Sequence, residues 1–259
     1  MKMVLVHGAG GTPTTWSEVA PRLLAAGHEV VAVTNPMRSL TGDVANTSAA
    51  VDAMVGMTDR TEPRQAGVAD SRDREGQEGR PGPLSPVLLV GHSYGGAVIT
   101  DAGRHPAVVG LVYVAAFGPD EGETVNQIVE RYPPAEVAKY MRRGPNGEWA
   151  SEHTDEYWAE IGWDLTAAQR DTFHAGARAS ENAIFTQPTG VPAWRTLPSW
   201  YLVATQDRTL RPEIQRDMAA RMGATVTQTP GSHFTPLVRP TEVVALIEEA
   251  TTLLAATAW

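Results

Sequence analysis

The sequence contains no cysteine. Disulfides, a thiolate nucleophile and Cys-ligated zinc are thereby excluded, and the redox compartment cannot be read. No apolar run approaches the roughly 20 residues that cross a bilayer. The opening Met1-Lys2-Met3-Val4-Leu5-Val6-His7-Gly8 has one lysine and a very short apolar run. It is too short for a secretory leader and reads straight into a strand, so a cytoplasmic chain without a membrane partner is expected. Positive charge is scarce as well: 21 Lys and Arg stand against 30 Asp and Glu, for a net charge of -9. A nucleic-acid partner, which needs a strongly basic face, is not expected. There is no H-E-x-x-H and no Gly-Lys-Ser/Thr, so neither a metal site nor a phosphate-cradling loop is expected.

What is present is an ordinary globular balance. The 259 residues are 42% apolar and 20% charged, enough for one α/β domain or one domain with an insertion. Apolar runs predict strands over 4–6, 29–33, 87–90, 111–115, 200–204 and 224–227. Helical spacing of Trp16, Val19, Ala20, Leu23 and Leu24 predicts a first helix, with Thr14 or Thr15 as its N-cap and Gly27 ending it. Further helices are expected over 44–57, 97–102, 214–222 and 243–254. Strands apolar on both faces that alternate with helices imply an α/β fold. Its sheet is mostly parallel, of about six strands, covered on both sides.

Two segments break that rhythm. Residues 59–86 are rich in Arg, Glu, Asp, Gly and Pro, with Val68 and Leu84 as the only larger apolar residues, and read as a tolerated loop insertion. Residues 118–198 separate two strands and carry Tyr132, Tyr140, Trp149, Tyr157, Trp158, Trp163, Phe173, Phe185 and Trp194. They read as a helical cap over a core made of 1–117 and 199–259, with two or three of these aromatics lining a pocket for a small-molecule substrate.

Between the strand at 87–90 and the helix at 97–102 stands Gly91-His92-Ser93-Tyr94-Gly95-Gly96. It fits G-x-S-x-G in the strand–turn–helix context that gives the motif meaning. Chance alone gives about 0.1 matches in a chain of this composition. A nucleophile at the tip of a sharp turn needs a strained backbone, and only small residues two before and two after it avoid a clash. A serine also needs a base. Of seven histidines, His28 and His105 look solvated, His153 and His174 fall in the cap, and His7 ends a strand and orders the loop after it. His92 points away from Ser93. His233, in Gly231-Ser232-His233-Phe234, follows the last strand and reaches the edge where Ser93 must be. Asp207, just past the fifth strand, is the favoured acid to orient it. Asp120, after the fourth strand, is its rival, and a plain ion pair of Asp207 with Arg208 or Arg211 is the bland alternative. The order Ser93, Asp207, His233 is the order of a Ser…Asp…His arrangement.

An oxyanion site would take one amide from Tyr94 and a second from His7-Gly8-Ala9-Gly10-Gly11, with Ala9 favoured. The same loop begins a dinucleotide-binding pattern. Its third glycine position is Pro13, however, and no acid ends the second strand, so no cofactor is expected.

These residues resemble the α/β-hydrolase superfamily, and more narrowly its small esterase and hydroxynitrile-lyase-like branch. The likeness rests on VLVHGAGGTPTTW, VGHSYGGAVI, PSWYLVATQDRTLRPEIQRDMAARMGA and GSHF, and covers nearly the whole chain. The resemblance implies triad roles for Ser93, Asp207 and His233 and oxyanion amides at Ala9 and Tyr94. The length of 59–86 departs from it. The similar lyases carry Thr after the first-strand His and Lys after the catalytic His, where this chain has Gly8 and Phe234. Hydrolysis of a carboxylic ester, thioester or lactone is therefore expected. The alternatives are cyclisation, acyl transfer or C–C cleavage at the same site, and a non-catalytic small-molecule receptor.

Overall fold

The computed structural model describes residues 1–58 and 84–257. The strands are β1 (Lys2–Val6), β2 (Glu29–Val33), β3 (Val87–His92), β4 (Val108–Val114), β5 (Met141–Arg143), β6 (Trp149–Ser151), β7 (Ser199–Ala204) and β8 (Thr225–Thr229). The helices are α1 (Ala20–Ala25), α2 (Leu40–Thr58), α3 (Gly95–Ala102), α4 (Val125–Val129), α5 (Asp155–Glu160), α6 (Ala167–Gly176), α7 (Ala183–Thr186), α8 (Pro212–Met222), α9 (Thr235–Val238) and α10 (Pro240–Thr257).

Six strands form one parallel sheet in the order β2-β1-β3-β4-β7-β8. The four central strands are buried almost throughout, whereas β2 exposes alternate residues and β8 exposes most of its length. Side chains alternate across the sheet, so each central strand feeds two cores. Val4, Val6, Leu89, Tyr113, Tyr201 and Val203 pack under α2, α3 and α8. Met3, Leu5, Leu88, Val90, Val112 and Leu202 pack under α1 and α10. The chain leaves β1 toward one side of the sheet and β3 toward the other. A crevice therefore opens between the C-terminal ends of these neighbours, where ligands of open α/β sheets bind.

Two local expectations are corrected. The first helix is not continuous: a 3₁₀ turn over Pro13–Trp16 precedes α1, and Thr14 and Thr15 lie inside that turn rather than capping a helix. Pro21 has no N–H to bond back to Ser17, so the helix begins beside it. Residues 118–198 hold four helices but also the antiparallel hairpin β5–β6, so this segment is not purely helical. Apart from 84–86, the reading of 59–86 lies outside the described residues.

Candidate active site

Ser93 stands at the tip of the turn from β3 into α3 with φ +54, a left-handed conformation that L residues other than Asn and Asp rarely adopt. The turn is tight because its flanks touch. A Cβ on Gly91 would lie 2.6 Å from Gly95 O, and a Cβ on Gly95 would lie 2.3 Å from Val6 O. The loop after β1 is equally close: a Cβ on Gly8 would lie 2.7 Å from the Ser93 Cβ and 3.1 Å from its Oγ. Only glycine at these points lets the two loops meet around the serine.

The structure brings Asp207 and His233 together, with Asp207 Oδ2 2.6 Å from His233 Nδ1. A carboxylate oxygen accepts, so Nδ1 donates in this bond and Nε2 is left clear of it. Asp207 is 4% exposed and fully used. Its Oδ1 accepts from the Thr209 and Leu210 N–H groups at 2.7 and 2.9 Å, and its Oδ2 also from Gln215 Nε2 at 2.9 Å. Neither arginine in question takes it: Arg208 donates to Glu160 O and Arg211 pairs with Glu213. Asp120 is held elsewhere, by Arg195 at 2.5 Å.

His92 does not simply turn away. Its Nε2 donates to the His233 carbonyl at 2.8 Å, and the two rings lie 4.8 Å apart. Its Nδ1 is buried without a partner. Burial first, then the neighbouring His233, pushes its pKa well below the usual histidine value. His92 is thus a neutral support for the loop that carries His233. A second support comes from Asp164, whose Oδ2 accepts from Ser232 N at 3.0 Å. His7 orders its loop, as its position implies: Nδ1 donates to Gly8 O at 2.8 Å and Nε2 accepts from Asn35 N at 3.1 Å. Burial lowers its pKa to about 4, with Arg178 acting in the same direction and the Gly8 bond against it. His28 and His105 are not free in solvent; each is mostly buried and pairs with an acid, Glu248 and Asp52 respectively.

Ser93, His233, Ala9 and Tyr94 line one cavity of about 960 Å3. Its far wall comes from 118–198, where Trp149, Tyr157, Phe173 and Phe185 line it, four aromatics where two or three are expected. Of the other five, Trp158 meets Phe234, Trp194 Nε1 donates to Pro119 O, Tyr132 OH donates to Asp217, Tyr140 OH donates to Glu160, and Trp163 is exposed. His153 and His174 also reach the cavity, with their Nδ1 atoms 3.1 Å apart. Burial lowers the His153 pKa to about 4.

The roof is tied to the glycine-rich loop by polar bonds that the sequence does not advertise. Arg178 N donates to Gly10 O, its Nη2 donates to Gly11 O and Asn35 O at 3.0 Å each, and Ser180 Oγ accepts from Gly10 N at 3.0 Å. Among the described residues no group of three or more His, Cys, Asp and Glu is placed to hold a metal ion. Nor is any described helix long and apolar enough to cross a membrane.

The model of the alpha/beta hydrolase family matches residues 3–246, and the chain belongs to that family. A carbendazim-hydrolysing esterase from Nocardioides sp. (strain SG-4G) is 29% identical over 156 residues. That match spans 58% of this chain and little more than half, 56%, of the esterase. Among solved structures, a pyrethroid hydrolase from Sphingobium faniae JZ-2 superposes with a TM-score of 0.73 at 19% identity, over 100% of this chain and 98% of that one. Polyneuridine aldehyde esterase follows with a TM-score of 0.70 at 16% identity, over 96% of this chain and 98% of that one. Likenesses at such identities concern the fold.

Proposed function

We propose that this protein is a serine hydrolase of carboxylic esters, thioesters or lactones of small molecules, working through Ser93, His233 and Asp207. Ser93 Oγ attacks the carbonyl carbon while His233 Nε2 takes its proton. Asp207 holds the ring in the tautomer that leaves Nε2 free and stabilises the imidazolium that forms. The Ala9 and Tyr94 N–H groups meet the oxyanion of the tetrahedral intermediate. The bond to the leaving alcohol or thiol then breaks, and His233 returns the proton to it. Water, deprotonated by the same histidine, attacks the acyl-enzyme and releases the acid and Ser93. Every proton is carried by these residues and water, so the reaction calls for no cofactor.

The observation that carries this reading is that a strained Ser93 and an Asp207-bound His233 line the same cavity. The hydrolases and esterases it resembles support the reaction class. The aromatic wall of the cavity fits an uncharged substrate with an aryl or alkyl body. The test is hydrolysis of p-nitrophenyl acetate, butyrate and octanoate by wild type and Ser93→Ala. Turnover that needs Ser93 is the expected result. Equal rates in both proteins would sink the proposal, and tight ligand binding without turnover would move the reading to a receptor.

A further inference from the structure

Asp43 has no part in the chemistry above, yet it is a fully buried carboxylate two contacts from it. It lies in the first turn of α2, where a helix favours negative charge. Its Oδ2 accepts the Tyr94 hydroxyl at 2.8 Å and its Oδ1 accepts Met37 N at 2.9 Å. Tyr94 follows the nucleophile, is 1% exposed and stands at the N-cap of α3. Tethering its ring therefore fixes the Ser93–Tyr94 peptide and the direction of its N–H. Met37 is held with φ +54, a second strained residue, which persists only where its surroundings over-determine it.

From Met37 the bonds run into the roof and back to the other loop. Glu181 N donates to Met37 O at 2.9 Å, and Ser180 Oγ meets Met37 Sδ at 3.6 Å while accepting from Gly10 N at 3.0 Å. Gly10 is the neighbour of Ala9. A path buried except at its Gly10 end, Tyr94–Asp43–Met37–Ser180–Gly10, thus joins the two loops that carry the oxyanion amides. Arg178, from the same part of the roof, acts on the Asp43 carboxylate electrostatically. Burial nonetheless raises the Asp43 pKa, outweighing the lowering by Tyr94, Met37 and Arg178.

We propose that Asp43 is the positioning residue of the oxyanion site: its two oxygens hold the Tyr94 peptide and the Met37 turn at once, and so set the spacing of the Tyr94 and Ala9 amides. This rests on the serine-hydrolase reading, and it adds a residue that the reaction scheme does not need. Misplacing a donor by a fraction of an ångström weakens binding of the transition state far more than binding of the ester.

The test compares wild type, Asp43→Ala, Asp43→Asn, Tyr94→Phe and the Asp43→Ala/Tyr94→Phe double variant. The readouts are kcat and KM on p-nitrophenyl butyrate and inhibition by an alkylboronic acid, which forms a tetrahedral adduct on a reactive serine. Asp43→Ala should lower kcat about 10- to 100-fold with KM changed less than about threefold. Boronate affinity should fall in step with kcat/KM. Asp43→Asn should recover about tenfold over Asp43→Ala, since a carboxamide can accept from Met37 N and donate to the Tyr94 oxygen. The double variant should be no worse than Asp43→Ala, because both changes cut the same link.

Unchanged kcat and boronate affinity in Asp43→Ala, or a loss confined to thermal stability, would overturn the proposal. If Asp43→Ala does not fold, Tyr94→Phe decides, since it removes one hydroxyl; kcat within twofold of wild type would then overturn it. Failure of the hydrolase reading looks different: the boronate would not inhibit wild type, and turnover would survive Ser93→Ala.

Discussion

The turn around Ser93 and the segment 118–198 that roofs it are built by different constraints. In the turn, backbone meets backbone at Gly91 against Gly95 and Gly95 against Val6, and Gly8 backbone meets the Ser93 side chain. Only one residue type fits at each of these points. In the roof, large side chains settle against one another. Tyr157, Trp158, Ile161 and Leu165 form one apolar cluster with Phe234 and Leu237, the residues just after His233. Many combinations of large apolar residues could fill such a cluster. The comparison teaches that the chemistry is written at a few invariant-geometry points, while the shape of the pocket is spread over a packing that can be redrawn.

The largest effect should separate two carboxylates at the same sheet edge. Asp207→Asn should lower kcat on the order of 10⁴-fold, because an amide at this place can favour the wrong His233 tautomer. Asp120→Asn should change it less than about threefold, as that acid is half-exposed in an ion pair with Arg195. Steady-state kinetics on one ester checks both, and a larger loss in the Asp120 variant would reverse the assignment.

Two glycines sharpen the contrast further. Gly95→Ala should destabilise by roughly 3 kcal/mol or more, since its Cβ would lie 2.3 Å from Val6 O and 2.8 Å from His7 O, backbone atoms of a packed strand end that cannot yield. Gly56→Ala, in α2 with open space around it, should be neutral or stabilising by about 0.5–1 kcal/mol. Urea unfolding of the two variants reads the difference.

His7 provides a pH signature of the buried turn. In the fold its pKa is lowered to about 4, whereas an unfolded histidine titrates near 6.5. Between these values the unfolded chain binds the additional proton. Stability should therefore rise with pH from about 4 to about 6.5, by up to about 1.4 kcal/mol per unit for this group, and not change on its account above that window. His153, lowered to about 4 but only half-buried, should add a damped slope in the same window. His92, lowered further by burial, adds its own slope there; urea midpoints from pH 7 down to pH 5 measure the sum, and His7→Asn should make it shallower by the His7 share.

The roof should act on substrate choice. Phe173→Ala should leave acetate turnover nearly intact and lower kcat/KM for the octanoate ester about tenfold, by removing apolar wall. Parallel kinetics on the two esters would show it; equal losses on both would mean the roof also holds His233 in place, through Phe173 against Phe234.

Legibility in the sequence follows the same division. The four central strands announce themselves because runs such as Val87-Leu88-Leu89-Val90 are apolar on both faces and need cover on both. The positions of Ser93, Asp207 and His233 follow from strand ends, which a parallel sheet gathers at one edge. β5 and β6 stay hidden: Met-Arg-Arg and Trp-Ala-Ser are three residues each, without alternation, held by the Trp149–Ser180 bridge and each other. Asp43 looks like an ordinary acid in a helix's first turn, and Met37 like a loop residue. Their meaning lies in contacts with Tyr94 and Glu181, 51 residues away in one case and across the roof in the other. The support that His92 gives is hidden for the same reason, since its partner is the distant His233 carbonyl.

The most direct measurement is mass mapping of the protein after reaction with an alkyl fluorophosphonate, alongside residual turnover of a p-nitrophenyl ester. The account predicts one adduct per chain, on Ser93, with turnover lost in proportion to labelling, and no adduct in Ser93→Ala or His233→Ala. Labelling at another residue, or turnover that persists once Ser93 is fully modified, would contradict it.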